Sequence, residues 1–177
     1  MMKNLVFATA LLFSVATAAQ AHKAHVHGEG RLNVSLDQAR LTLAIEIPLD
    51  AAVGFERPPR NDKEKTALAA TAKLLADGGA LFPLDPAAQC RVQEQRVHVP
   101  FTGSDDRHEA HAHKGETHHA DIEASYVFHC AAPERLTFVD TTIFKHFKRL
   151  YRLEARHIGP KGQGAQRLTP NKPRLVW

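Results

Sequence analysis

The sequence is poor in sulfur, with two cysteines and two methionines among 177 residues. Both methionines, Met1 and Met2, stand at the extreme N-terminus. The absence of Met-rich motifs argues against a site for Cu(I), which prefers soft thioether and thiolate ligands. Nitrogen and oxygen donors therefore remain as the main candidates for any metal chemistry.

Motifs that carry common enzyme chemistries are also absent. There is no phosphate-binding loop, no Gly-rich dinucleotide turn and no nucleophile elbow. The segment 108–111 reads HEAH, which contains a His–Glu pair but lacks the two histidines at i and i+4 of a zincin helix. These absences predict a binding protein that is not an enzyme.

The basic excess is small, because 23 Lys and Arg against 19 Asp and Glu give a formal net charge of +4. Most of the excess lies between residues 145 and 174, where it forms no dense Lys/Arg run. Binding to nucleic acid requires a basic patch and usually aromatic side chains that stack on bases. We therefore predict that nucleic acid is not a partner.

The N-terminus has the pattern of an export signal. Lys3 is followed by a run of apolar and small residues from 5 to 19, and Ala19-Gln20-Ala21 has the small-x-small form of a cleavage site. The run is short and rich in Ala and Thr, which disfavours the alternative of an uncleaved membrane anchor. We predict that residues 1–21 are a cleaved signal peptide. Residues 22–177 then form one domain in the periplasm, without an integral membrane segment.

Histidine is abundant, with 12 residues in the chain and five of them between positions 108 and 119. Residues 105–121, which we call the histidine tract, include no large apolar residue, so they are predicted to form a solvated loop. Neutral imidazole is a strong ligand for Zn²⁺ and other divalent transition metals, and carboxylates can complete the coordination shell. The predicted metal ligands of the tract are His108, His111, His113, His118 and His119, and its acids are Asp105, Asp106, Glu109, Glu116 and Asp121.

A second set of donors lies just after the predicted cleavage site. His25 and His27 are two residues apart, so in an extended segment their side chains project to the same side. With His22 and the new α-amino group nearby, they are predicted to contribute metal ligands. The alternative is a frayed terminus in which these histidines have no role.

The rest of the chain predicts an α+β fold that is mainly antiparallel β-sheet. Residues 29–48 read as a hairpin, with apolar side chains alternating on both sides of a turn at 37–40. One packed helix is predicted to begin at Asn61, with Glu64 completing a capping box, and to end at Gly78. A short C-terminal helix is predicted after Asp140 as its N-cap, followed by further strands.

Two more strands enclose the histidine tract. Residues 89–101 and 121–130 alternate in polarity, and pairing Cys90 with Cys130 gives a consistent register if a bulge lies between residues 93 and 96. The tract is then the long loop of this hairpin. In an exported protein the two cysteines are predicted to form one disulfide, at the base of the hairpin.

Several segments together resemble the ZrgA-type periplasmic zinc-uptake proteins, which are small exported proteins encoded with components of ABC-type transporters. The resemblance covers most of the chain beyond residue 21, and it implies zinc binding through His25, His27 and the histidine tract, with delivery to an inner-membrane ABC importer. Arg57 departs from the pattern, because members of the family often carry His there, and a ligand would be missing at that point. The segments are HVHGEGRLNV (25–34), VGFERPP (53–59), LFPLDPAAQC (81–90), HHADIEASYVFHC (118–130), the pair Phe144 and Phe147, and GPKGQGAQRL (159–168).

Two other functions compete with zinc capture. One is the binding of copper or nickel, since Cu²⁺ is expected to bind the histidine tract more tightly than Zn²⁺ in vitro. The other is a pH-sensitive structural or interaction module, because clustered imidazoles become charged near pH 6. Association that depends on pH and survives a chelator is the expected signature of the second alternative.

Overall fold

The computed structural model describes residues 27–103 and 120–176. The predicted signal peptide, His25 and residues 104–119 of the segment between the third and fourth strands lie outside these ranges. The element order is β-β-α-α-α-β-β-β-α-β-β-β, and two short 3₁₀ turns flank the β-hairpin formed by the third and fourth strands. The strands are β1 (Glu29–Asp37), β2 (Arg40–Pro48), β3 (Cys90–His98), β4 (Asp121–Cys130), β5 (Phe138–Asp140), β6 (Arg152–Gly159), β7 (Gly162–Leu168) and β8 (Arg174–Val176). The helices are α1 (Leu49–Val53), α2 (Asp62–Leu75), α3 (Gly78–Leu81) and α4 (Ile143–His146).

Six strands form one mixed sheet in the order β3-β4-β2-β1-β6-β7, and β5 pairs with β8 in a second, two-stranded sheet. All neighbouring strands are antiparallel except β1 and β6, which run parallel. The α+β prediction with a mainly antiparallel sheet is confirmed. The parallel pair was not predicted, because it joins strands more than 110 residues apart, for which the local pattern carries no pairing signal.

The β1–β2 hairpin follows the alternation in the sequence. Arg31 pairs with Glu46 and Asp37 with Arg40, so that the two-residue turn consists of Gln38 and Ala39. Every second side chain of both strands enters the core, as one buried face of an antiparallel sheet requires. This hairpin confirms the predicted turn and register.

The packed helix α2 starts as predicted, with the Asn61 side chain accepting a hydrogen bond from the Glu64 N–H at 3.0 Å. It ends at Leu75 rather than at Gly78. The ring of Tyr126 explains why Gly78 is needed, since it lies 2.2 Å from where a Cβ on that residue would be. Burial raises the pKa of the Tyr126 hydroxyl, which donates to the carbonyl of Leu75 at 2.8 Å and so anchors the end of α2 on the sheet.

The C-terminal helix α4 is present, but Asp140 is not its cap. The Thr141 hydroxyl oxygen instead accepts from the Ile143 N–H at 3.2 Å. The Asp140 carboxylate accepts two hydrogen bonds from Arg174, each 2.7 Å long. Asp140 therefore links β5 to β8, and a nearby hydroxyl serves the helix.

The β3–β4 hairpin confirms the predicted pairing around the histidine tract. Cys90 is opposite Cys130 and forms the predicted disulfide with it. The register shifts between Val92 and Glu94, so the bulge begins at the edge of the predicted interval. Val92 is 41% exposed although the pattern places it on the buried face, because β3 is the edge of the sheet and little packs over it. Asp121, the last residue of the predicted loop, already belongs to β4.

The ion pair between Arg57 and Glu64, beside α2, leads to a prediction about the stability of the protein in acid. Hydrogen bonds from Arg57 and from the Arg60 N–H lower the pKa of Glu64 to about 2. In the unfolded chain a glutamate has a pKa of ~4.3. The ionised carboxylate therefore stabilises the fold above that pH, and this contribution is lost as the pH falls towards 2. We expect Glu64→Gln to lower the thermal unfolding midpoint at pH 7 and the difference from the parent to shrink continuously below about pH 4.

The matched control is Glu134→Gln, because Glu134 is exposed and lies 3.9 Å from Arg135. Glu134→Gln should leave the thermal unfolding midpoint unchanged at pH 7 and at pH 2.5. A Glu64→Gln difference that is as large at pH 2.5 as at pH 7 would contradict the assigned ion pair.

Candidate metal centre

Chain segments that carry potential metal donors converge at one end of the main sheet. At this end β1 begins and the antiparallel β2 finishes, with β4 starting at Asp121 opposite Pro48. β3 finishes at the same end, where His98 faces Glu123. The segments before β1, after β2 and between β3 and β4 therefore all leave the sheet at this end, which we call the His27 end.

Three donors meet at the His27 end. The Nδ1 atom of His27 lies 2.8 Å from Oδ2 of Asp50. A carboxylate oxygen of Glu56 completes the group, and the three donor atoms all lie within 4.8 Å of one another. We call these three residues the His27 cluster. Among the residues that the structure describes, it is the one group of at least three His, Cys, Asp or Glu side chains that close together.

The hairpin and the turn after it position the cluster. His27 stands two residues before β1 begins and Asp50 two residues after β2 ends, so the hairpin brings both residues to the same end of the sheet. α1 ends at Gly54, which has a φ of 91° and donates its N–H to the Asp50 carbonyl at 2.9 Å. This left-handed residue reverses the chain and returns Glu56 towards Asp50.

Exposure differs sharply between the two bonded residues of the cluster. The side chain of His27 is 74% exposed and that of Asp50 is 20% exposed. The Asp50 Oδ1 atom is buried and accepts no hydrogen bond from any residue in the described ranges. A buried carboxylate oxygen without a donor is costly, and a cation bound beside it would remove that cost.

The turn that carries His27 is held from behind. Gly28 has a φ of 77°, and a Cβ on it would lie 2.6 Å from both the Arg149 carbonyl oxygen and the Tyr151 ring. The Gly28 carbonyl accepts from the Tyr151 N–H at 3.0 Å, and the Tyr151 hydroxyl donates to Glu29 at 2.9 Å. Burial acts to raise the pKa of Glu29, but hydrogen bonds from Arg152 and Tyr151 bring it below its usual value. An ionised glutamate therefore anchors the base of the His27 turn.

Arg57 occupies the position where the resemblance predicted a lost ligand, and it serves a different purpose. Its guanidinium makes two 2.8 Å hydrogen bonds to the Glu64 carboxylate and lies 5.1 Å from the centre of the Phe55 ring. These contacts fix the chain between α1 and α2. Glu56, next to it in the sequence, supplies the donor at this corner of the cluster.

The donor set of the cluster suits Zn²⁺, which binds imidazole nitrogen and carboxylate oxygen in tetrahedral sites. Ligand atoms around one tetrahedral zinc, each at ~2.0 Å, lie about 3.3 Å apart. The His27 Nδ1 and Asp50 Oδ2 atoms, now 2.8 Å apart, must therefore separate by about 0.5 Å, and a pair at the 4.8 Å limit must close by about 1.5 Å. Side-chain rotations can make changes of this size. Three donors leave a fourth position for a further ligand or water.

The histidine tract is attached to the sheet beside this cluster. Its predicted ligands His108, His111, His113, His118 and His119, and also His25, lie outside the described residues. Ala120, which directly follows His119, accepts a hydrogen bond from the Leu49 N–H at 2.8 Å. Leu49 adjoins Asp50, so the C-terminal end of the tract is fixed next to a cluster residue.

The remaining described histidines are not part of the cluster. His98 is exposed at the end of β3 and faces Glu123 on the side of the sheet away from the core. His129 stands at the opposite end of β4, beside the disulfide. His146 is exposed on α4, and the ring of His157 packs against Gly164.

Asp50 and Glu56 were missed by the sequence reasoning, which treated the segment after β2 as a connection with an apolar anchor. A signal was present in the sequence. His27 precedes the predicted hairpin 29–48 by two residues and Asp50 follows it by two, and the two ends of a hairpin lie side by side. No comparable rule exists for Glu56, whose position depends on the left-handed turn at Gly54.

Taken together, the fold and the cluster define a protein built on a mainly antiparallel β-sheet with the donor set of a divalent-cation site. The family of ZrgA zinc uptake proteins matches residues 24–177, and the chain belongs to this family, whose role is zinc-related. The resemblance seen in the sequence is thereby confirmed. A comparison with curated proteins finds no match. In the described ranges, no helix is both long and apolar enough to cross a membrane.

Proposed function

We propose that the protein is exported to the periplasm, where it captures Zn²⁺ and passes it to an ABC-type importer in the inner membrane. In this proposal residues 1–21 are removed as a signal peptide, and the histidine tract collects the ion. The His27 cluster then holds it together with His25. The protein acts by binding and release, without catalysis.

One observation carries this proposal, namely that the end of the histidine tract is fixed beside the His27 cluster. The hydrogen bond from Leu49 to Ala120 joins the residue before Asp50 to the residue after His119. The tract therefore joins the described part of the fold at the same end of the sheet as the cluster. Membership of a zinc uptake family supports zinc as the ion.

The histidine tract and the His27 cluster suit different steps, the first the capture of an ion and the second its retention. Five imidazoles within twelve residues offer more donors than one ion needs, which favours rapid capture and exchange between ligand sets. The backbone that carries the His27 cluster is fixed by the hairpin and by α1, so binding an ion requires only side-chain adjustments. Preorganised donors bind more tightly because less ordering entropy is lost on binding.

The test is calorimetric titration of chelator-stripped protein, residues 22–177, with Zn²⁺. A tract variant carries Gln in place of His108, His111, His113, His118 and His119. We expect this variant to bind fewer zinc ions than the parent and to keep one site, the His27 cluster. The control carries Gln at His129 and His146, two exposed histidines outside the site, and should match the parent.

The outcomes separate the proposed function from its competitors. Unchanged zinc stoichiometry in the tract variant would refute capture by the tract. A parent protein that binds Cu²⁺ or Ni²⁺ but no Zn²⁺ at micromolar concentration would favour the copper or nickel function. Association that depends on pH and persists in chelator would favour the interaction module.

A further inference from the structure

Arg149 lies between the two segments that carry the His27 cluster. Its carbonyl oxygen packs on the His27 turn, 2.6 Å from where a Cβ on Gly28 would be. Its guanidinium carbon packs on the other segment, 3.3 Å from the equivalent Cβ position on Gly54. Gly54 stands in the chain between Asp50 and Glu56, and its N–H is bonded to the Asp50 carbonyl. The charge of Arg149 is therefore beside the turn that joins both carboxylates of the cluster.

Two other arginines in this part of the molecule form ion pairs, because Arg57 pairs with Glu64 and Arg152 pairs with Glu29. Arg149 is exposed and makes no ion pair with any described residue. An arginine used only to brace a turn would be expected to bond a carbonyl or a carboxylate, as those two neighbours do.

We propose that Arg149 sets the metal affinity of the His27 cluster by opposing the charge of the bound cation. This inference rests on the proposed function and adds its release step. The two carboxylates of the cluster attract a divalent cation. The guanidinium then repels the bound ion, because a positive charge near a cation site weakens binding at the ionic strengths found in solution. A carrier protein benefits from this, since an ion held too tightly is not released.

The size of the effect follows from Coulomb's law. A unit charge near a divalent ion, in surroundings close to water and with salt screening, is expected to change the dissociation constant by about two- to tenfold. The change should appear mostly in the rate of dissociation, as is usual for variants of one site. It should also shrink as salt is added, which distinguishes a charge effect from a packing effect.

The experiment compares charge variants of Arg149 in the tract variant, where the cluster is the remaining site. We expect Arg149→Gln to tighten Zn²⁺ binding by about two- to tenfold at low salt and to slow release into excess chelator. Arg149→Lys keeps the charge and should bind as the parent does. The control is Arg156→Gln, which removes the same charge from an exposed position four residues further along β6 than Arg152, away from the His27 end.

The result that overturns the inference is an affinity in Arg149→Gln equal to or weaker than that of the parent. A weaker affinity shared by Arg149→Lys would assign Arg149 a packing role on Gly28 and Gly54 instead. His27→Ala in the same background tests the cluster separately. If His27→Ala weakens binding and Arg149→Gln does not strengthen it, the cluster stands and only the role of Arg149 fails. If His27→Ala binds zinc as the parent does, the cluster itself is refuted.

Discussion

Replacing Asp50 with Asn is expected to weaken zinc binding at the His27 cluster by about 10- to 100-fold, which is the usual cost of losing a carboxylate that orients or assists a histidine ligand. Asn has nearly the same shape as Asp, so packing around α1 is preserved while the negative charge is removed. The measurement is zinc titration of the tract variant with and without this substitution.

Asp50→Asn is expected to lower the zinc affinity in either of two arrangements of the bound ion. In one, both His27 Nδ1 and Asp50 Oδ2 would serve as ligands, and the hydrogen bond between them would be lost on binding. In the other, Asp50 accepts from Nδ1 and leaves Nε2 of His27 to bind the ion. The first arrangement predicts a loss at or beyond the upper end of the range, because a ligand disappears. The second predicts a loss within it.

A matched control exists in the two-stranded sheet formed by β5 and β8. Asp140 ends β5, has a partly exposed carboxylate as Asp50 does, and accepts charged hydrogen bonds from Arg174. Asp140→Asn should reduce stability and leave zinc affinity unchanged. If Asp50→Asn binds zinc as tightly as the parent, then the cluster is not the holding site and zinc must be bound by other donors.

The fold was predictable where a pattern is local. The alternation of β1 and β2, the Asn61 cap and the pairing of Cys90 with Cys130 all depend on spacing within one hairpin or one helix turn. These features were confirmed because side-chain period and cap chemistry leave few alternatives. The bulge in β3 was also predictable, since the apolar side chains change phase between its two halves.

Features that depend on distant parts of the chain were not predictable in the same way. The parallel pairing of β1 with β6 brings Tyr151 and Arg149 behind the His27 turn, and no motif in either strand announces it. The candidate site shows the same division. His27 was predicted from its spacing with His25, whereas the place of Asp50 depends on how the chain leaves β2 into α1 and that of Glu56 on the turn at Gly54.

Breaking the Cys90–Cys130 disulfide is expected to lower the free energy of unfolding by ~4 kcal/mol, according to the chain-entropy treatment of a closed loop of this length. The cysteines are 40 residues apart, and the loop between them contains the histidine tract, which has little apolar surface to restrain it when the chain unfolds. Most of the effect should therefore arise in the unfolded state. Urea unfolding of the oxidised protein and of a double Cys90→Ala, Cys130→Ala variant measures it.

Zinc binding should survive the same change, because the disulfide and the His27 cluster are at opposite ends of β4. The strand has ten residues, so Cys130 is about 30 Å from Asp121 at the usual rise per residue. We expect the oxidised protein and the double alanine variant to bind zinc with equal affinity wherever both are folded. A loss of zinc affinity in the folded variant would show that β3 and β4 transmit strain to the cluster. Equal affinity would mean that the disulfide contributes to stability alone.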